Sequence, residues 1–187
     1  MKNKKEFQNL YTINQETNAY TIDVSLDDYS ELFNGWDASP LRKKDLEPEL
    51  LDYLEQAGYE IPIKENVEIC FFLSKTKKDV DKENRSIVGV KNNFKVNLFF
   101  INKTLQKYYR QTLTYIFLSI SFLFIAYSLG SSEIISLTLI REALFIGGWF
   151  LLWEAFSLFF FTAHDEKTRR KVFQRFLDSK VYFKDID

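Results

Sequence analysis

A chain of 187 residues has room for one ordinary domain and a smaller additional segment, and a formal net charge of -1 provides no global basic field for nucleic acid. The single cysteine, Cys70, excludes an intramolecular disulfide and a cysteine-based metal site within one chain. Charged residues are frequent in residues 1–110, whereas residues 113–163 contain only four: Glu133, Arg141, Glu142 and Glu154. The chain therefore combines a polar part and an apolar part.

The polar part starts with residues 1–19, for which we expect a flexible stretch and no signal peptide, since no apolar run follows the basic N-terminus. Alternation in Tyr20–Leu26 predicts a strand, and Asp27–Phe33 has the length of one helical turn. A second strand is predicted at Val67–Ser74, and Cys70 within it is expected to be a small buried apolar residue.

The clearest soluble helix is predicted from Asp45 to Ala57. Asp45 is the expected N-cap, acidic residues occupy the first turn, and Gly58 stands where a C′ glycine is favoured. Leucines at three- and four-residue steps form one apolar face, which we expect to pack on the domain core.

A turn-rich loop precedes this helix and carries an aromatic ring among charges: Trp36, Asp37, Arg42 and Asp45. Such a loop is a possible site for a partner or a ligand. The simpler hypothesis, which we favour, is structural: Trp36 fills the core, Asp45 caps the helix and the basic residues are solvated.

Apolar residues between Ile87 and Tyr108 recur at helical steps and run toward the apolar part, so we predict one helix from about Val80 to Leu129. Residues 88–90 and 95–100 also have a strand-like composition, and Gly89 weakens the helix.

Two apolar segments, residues 113–129 and 144–163, have nearly the length of a membrane span. The alternative is a pair of buried core helices, which so short a chain cannot easily surround. Basic residues precede the first segment and follow the second, which predicts a cytoplasmic location for both termini in a cell inner membrane. The segment between them forms either a short helix on the outer leaflet or an extension of one span.

Glu154 lies near the middle of the second segment, where a charge is costly. An antiparallel hairpin places Ser121 at a similar depth, with Ser119 nearby. The favoured hypothesis is a protonated Glu154 that hydrogen bonds a serine and helps the helices pack. The alternatives are a ring of Glu154 side chains lining a polar path in an oligomer, and proton-linked chemistry.

The tail, Asp165–Ser179, is basic and amphipathic, and we expect it to pack on the long helix in preference to lying on anionic lipid. Residues 181–183 have the composition of a small added strand. No metal or cofactor site is predicted. His164 is the only histidine, and the chain has no phosphate-binding glycine motif and no nucleophile elbow.

These motifs resemble a group of uncharacterised bacterial two-span membrane proteins. The resemblance is carried by the W-D-x-S-P loop at residues 36–40, the entry into the long helix at residues 87–94, the G-G-W-x-x-x-W-E segment at residues 147–154 and the basic tail. It covers most of the chain from about residue 20. It implies the architecture and brings no activity.

The sequence therefore predicts an α+β membrane protein in four parts. They are a flexible stretch 1–19, a cytoplasmic α+β domain 20–110 whose long helix continues into the membrane, a transmembrane hairpin 111–163, and an amphipathic tail 164–187. The leading functional hypothesis is a non-enzymatic anchor or adaptor that binds a protein partner or itself. The alternatives are an oligomeric pore-forming effector, as in bacterial defence, and a membrane enzyme with its site around His164.

Overall fold

The computed structural model describes residues 11–130 and 134–186. Contacts divide the chain into two compact units, the first from Met1–Phe100 with Arg170–Asp187 and the second from Ile101–Arg169. The tail therefore belongs to the same unit as the N-terminal half, although about 70 residues separate them along the chain.

The first unit is built on a four-stranded sheet in the order β1-β2-β3-β4. The strands are β1 (Thr12–Asn14), β2 (Ala19–Ser25), β3 (Val67–Ser74) and β4 (Lys180–Ile186). β1 is antiparallel to β2, whereas β2, β3 and β4 run parallel. Since parallel neighbours require a crossover, the connections from β2 to β3 and from β3 to β4 must each contain further structure.

Four helices supply these connections: α1 (Pro48–Glu60), α2 (Val80–Ser128), α3 (Ile135–Ser157) and α4 (Ala163–Asp178). α1 lies in the first crossover, together with a 3-10 turn at Tyr29–Leu32. The second crossover contains α2, α3 and α4, so the apolar hairpin is an insertion between two paired strands.

The core of the first unit joins the sheet to the helices. Ile22 and Ile69 from the sheet, Leu54 from α1, and Phe94 from α2 are fully buried. On α4, Phe173 and Phe176 are also fully buried, with ring centroids 6.2 and 5.5 Å from that of Phe94. The tail therefore packs against the long helix, as its amphipathic pattern predicted.

Two strands and the long helix were predicted within one or two residues of their observed ends. The helix at 45–57 was predicted too early: α1 begins at Pro48, its N-cap is Glu47, and no side chain caps it. Asp45 instead closes the loop before it. The prediction of Gly58 as a C′ residue was also wrong, because Gly58 lies inside α1 and is buried against Val172 and Phe176.

The short strand β1 falls in the stretch that was expected to be flexible, and it contains too few apolar residues to be recognised from its pattern. Asn14 on this strand donates a hydrogen bond of 2.9 Å from its amide nitrogen to Glu68 Oε2 on β3. Residues 1–10 of the predicted flexible stretch lie outside the described residues.

The second unit is a helical hairpin made by the C-terminal part of α2 and by α3. α2 ends at Ser128, and Gly130 takes a left-handed conformation with φ of +61°, which a glycine adopts without strain. α3 starts at Ile135, so the apolar connecting segment is an N-terminal extension of the second apolar helix from that residue on. Residues 131–133 lie outside the described residues.

The hairpin helices are long and apolar enough to cross a membrane, and little of them is buried. Only 17% of the most apolar 18-residue window is buried in Val80–Ser128, and 11% in Ile135–Asp178. Large apolar side chains are therefore left on the surface, including Phe117, Phe124, Ile146 and Trp153, each about 70% exposed. The alternative of two buried core helices is wrong for this chain.

Candidate functional site

The loop before α1 is closed at its base by apolar burial and backbone pairing. Phe33 and Leu46 form an antiparallel bridge and are 2% and 4% exposed. Next to this bridge, the Asn34 N–H donates to the Asp45 carbonyl at 2.8 Å. We call residues 34–45 the Trp36 loop; its two ends are held together by this pairing.

Side chains of the loop then fix its interior. Asp37 Oδ1 accepts from the Ser39 N–H at 2.9 Å, and Asp37 Oδ2 accepts from the Asp45 N–H at 2.8 Å. These two backbone bonds, that from Asp45 first, hold the pKa of the Asp37 carboxyl below its usual value. Asn34 Oδ1 accepts from the Trp36 N–H at 2.9 Å. Asp37 therefore links the two arms of the loop by hydrogen bonds, which we call the Asp37 clip.

Helix α2 supports the loop from one side. Asn92 donates from its amide nitrogen to the Arg42 carbonyl at 2.8 Å. One turn earlier, Gly89 lets the loop approach closely, because a Cβ there would overlap the Leu41 carbonyl oxygen and lie 2.9 Å from the Phe33 ring. Sequence reasoning missed both residues, since their roles depend on where α2 lies beside a loop some 50 residues away.

Trp36 is the exposed aromatic residue of this loop. Its side chain is 97% exposed, so the prediction that it fills the core is wrong. Arg42 and Lys43 are exposed on the same loop. A large exposed aromatic ring and an arginine on one loop fixed by hydrogen bonds have the composition found at the energetic centre of protein interfaces.

The acidic residues singled out on this loop have structural roles. Asp37 accepts two backbone bonds, and the Asp45 carboxylate lies 3.5 Å from the Asn93 amide nitrogen. Within the loop, the groups left to contact another molecule are therefore the indole ring and the basic side chains.

The hairpin brings together one of the predicted intramembrane polar residues and a glycine. Ser119 Oγ is buried and donates to the Gly148 carbonyl at 2.6 Å. A Cβ on Gly148 would lie 2.7 Å from Leu123 Cγ, so the glycine permits the close approach of the two helices. Gly148 and Ser119 thus fix the register of the hairpin.

This register separates Ser121 from Glu154, contrary to the prediction of a shared depth. Ser119 lies level with Gly148, and Glu154 is six residues further along α3, about 9 Å along the helix axis. Ser121 lies in the opposite direction, and its hydroxyl donates to the Phe117 carbonyl of its own helix at 2.9 Å. A Ser121–Glu154 hydrogen bond is therefore not formed.

Glu154 is partly exposed on α3. In residues 11–130 and 134–186 its carboxylate has no hydrogen-bond or ion-pair partner. An acidic group placed in this way requires a partner, water or a proton if the surrounding medium is lipid.

Comparison with known proteins identifies no relative: no family model, no curated protein and no solved structure matches the chain. The function of the chain must therefore be inferred from its own geometry and chemistry.

Proposed function

We propose that the protein is a non-enzymatic adaptor of the cytoplasmic membrane, in which the apolar hairpin spans the bilayer and the Trp36 loop binds a protein partner. The carrying observation is the exposed indole of Trp36 on a loop held by backbone and side-chain hydrogen bonds. A preorganised aromatic side chain loses little conformational freedom on binding, which favours its use as an anchor.

The surface of the hairpin supports the membrane placement. Apolar side chains of this density on a water-exposed surface would cause aggregation, whereas in a bilayer they meet lipid tails. Both helices satisfy their backbone hydrogen bonds internally, as a spanning segment must. In the single chain, only 17% and 11% of the most apolar windows are buried.

The sheet topology supports an even number of membrane crossings. β4 pairs with β3 over seven residues, so the chain must return to the same folded unit after the hairpin. Basic residues flank the hairpin at both ends, and positive residues favour the cytoplasmic side. We therefore place the first unit in the cytoplasm, with residues near Ile135 on the outer side.

The proposal is tested by photo-crosslinking in cells that express the full chain. A benzophenone amino acid at position 36 is expected to yield one discrete heavier species. The matched control carries the same amino acid at Tyr59, a half-exposed aromatic residue on α1. Asp37→Ala, which removes the clip, should weaken the product from position 36. Equal products from both positions, or none from either, would contradict the adaptor proposal.

A second candidate function, an oligomeric pore, is favoured by Glu154. An unpaired carboxylate on a lipid-facing helix becomes tolerable when several copies face a shared polar path. In the pore case, expression admits a membrane-impermeant dye, Glu154→Leu abolishes entry, and Glu142→Leu near the helix start does not. Absence of dye entry at matched expression of a membrane-inserted protein counts against the pore.

A further inference from the structure

An apolar groove opens between the two hairpin helices, near the end where the chain enters and leaves the hairpin. It has a volume of about 470 Å³ and is lined by Tyr109, Thr112 and Ile116 from α2 and by Leu152, Ala155 and Phe159 from the second helix and its continuation. Every residue of this lining belongs to the second unit. Nearly all of the lining is carbon, as expected of a site for a hydrocarbon chain.

The groove contains one polar group that is buried and unpaired. Thr112 is 6% exposed, and its Oγ1 has no hydrogen-bond partner in the described part of the chain. Other hydroxyls on the same helix donate to the carbonyl four residues earlier, as Thr114 does to Arg110 and Ser128 does to Phe124. The Thr112 hydroxyl therefore has an unused hydrogen bond at the wall of the groove.

A π-helical segment, Leu158–Thr162, shapes one end of the groove. A π turn holds an extra residue, so it changes the direction of the side chains that follow, and such turns are frequent at functional sites. Here Phe159 lines the groove, with its ring centroid 6.3 Å from that of Tyr109. On the second helix the lining includes the small Ala155, which is 2% exposed.

A cation lies at the same end. Lys167 Nζ lies 5.4 Å from the centroid of the Tyr109 ring and 5.3 Å from that of Phe159. The side chain is exposed, and in the described residues no carboxylate lies within ion-pair distance of it. Lys107 and Arg110 precede the hairpin on α2 and add to the positive charge there.

We propose that this groove binds one anionic glycerophospholipid. The order of groups along it matches such a lipid: Lys167 for the phosphate, the Thr112 hydroxyl for an ester carbonyl, and the apolar walls at Ile116 and Leu152 for an acyl chain. This order runs from the cytoplasmic interface toward the bilayer interior if the hairpin spans the membrane, so the inference rests on the proposed function. The net negative charge of the headgroup is selected by Lys167, which forms no ion pair with a carboxylate in the described residues.

The test is native mass spectrometry of the full chain in mild detergent, titrated with phosphatidylglycerol or phosphatidylcholine of identical acyl chains. We expect one phosphatidylglycerol to bind several-fold more tightly than phosphatidylcholine. Lys167→Gln should lower its affinity about fivefold and remove the preference, as the loss of one basic contact predicts. Thr112→Val should weaken both lipids about fivefold, since both have ester carbonyls.

Two control variants separate this site from general lipid contact. Thr114→Val removes a hydroxyl that bonds its own helix, and Lys103→Gln removes a charge elsewhere on α2. Neither should change binding. Equal affinity for the two lipids, or equal effects of Lys167→Gln and Lys103→Gln, would overturn the proposal. Membrane fractionation distinguishes failure of the proposed function from failure of the lipid site. A protein absent from membranes would contradict the proposed function, whereas an inserted protein without preference for phosphatidylglycerol would contradict the lipid site alone.

Discussion

Two partly buried cations hold the tail to the rest of the first unit by donating to carbonyl groups near helix ends. Lys91 Nζ on α2 donates to the Phe176 and Leu177 carbonyls at 2.9 and 2.8 Å, and also to the Ser179 carbonyl. Arg175 on α4 donates to the Pro62 carbonyl at 2.9 Å and to the Gly58 carbonyl. The last carbonyls of a helix lack partners within it, so each cation stabilises the end of another helix.

Replacing Lys91 by Met should lower the free energy of unfolding by about 1–3 kcal/mol, because the carbonyls lose a partly buried donor. Burial lowers the pKa of Lys91 to about 8, whereas nearby Asp178 opposes that shift. Between pH 8 and the ordinary lysine pKa of 10.5, Lys91 keeps its proton in the unfolded chain and loses it in the folded protein. Lys91 therefore makes the free energy of unfolding rise with pH in this range.

Thermal unfolding of the two proteins in mild detergent, followed by circular dichroism from about pH 7 to 10.5, measures both effects. The difference in stability between wild type and Lys91→Met should widen as the pH rises above 8, since other groups cancel in the comparison. A difference independent of pH would contradict the lowered pKa, whereas equal stability at every pH would contradict the role of the contacts.

Gly58 is required for packing and not for a turn. A Cβ there would overlap Val172 Cγ1 and lie 2.7 Å from Phe176 Cζ. We expect Gly58→Ala to cost about 1–3 kcal/mol by overpacking, although alanine favours the helix by about 1 kcal/mol. Gly35→Ala is the matched control, since a Cβ at Gly35 meets nothing within 4 Å. Chemical denaturation of both variants gives the comparison; a stable Gly58→Ala would show that α1 and α4 separate easily.

At the scale of elements, the hairpin depends on the close approach of α2 and α3 near Gly148. In the proposed membrane placement the surrounding lipid provides no hydrophobic force between the helices, so packing and hydrogen bonds such as Ser119–Gly148 must hold them. Neighbouring Gly147 is less confined, because a Cβ there would lie 3.4 Å from the Phe122 ring, an ordinary contact.

The two glycines therefore form a matched pair. Gly148→Ala should push the helices apart and lower the thermal stability of the hairpin in detergent, with a cost of about 1–3 kcal/mol. Gly147→Ala should have little effect. The fluorescence of Trp149 and Trp153, which follow the two glycines, reports the transition once Trp36 is replaced by Phe. Equal losses in both variants would mean that Gly148 does not meet Ser119.

For the whole molecule, the insertion of the hairpin between β3 and β4 has a topological consequence. A strand that completes a sheet must be on the same side of the membrane as that sheet. In a Cys70→Ser background, cysteine at Ser136 should react with an impermeant maleimide in intact cells. Cysteine at Lys184 should react only after lysis. Labelling of both in intact cells, with membrane integrity verified, would contradict the proposed orientation.

The local sequence pattern was sufficient to predict most of the helices and strands. Apolar recurrence at helical steps identified the helix from Val80, and alternation identified the strand at Val67–Ser74, because both signals come from residues close together in the chain. The lengths of the two apolar segments also follow from composition alone. These features required no knowledge of what packs against them.

Contacts between residues distant in the sequence decided the exposure of Trp36, the register of the hairpin and the groove. Trp36 was expected in the core because aromatic side chains are usually buried, but its position is fixed by Asp37, Asn34 and the base of the loop. The register of the hairpin depends on where Gly148 meets Ser119, and midpoint counting placed Glu154 wrongly. The groove exists because a π turn, a small alanine and an unpaired threonine meet across two helices, and such a meeting has no signature along the chain.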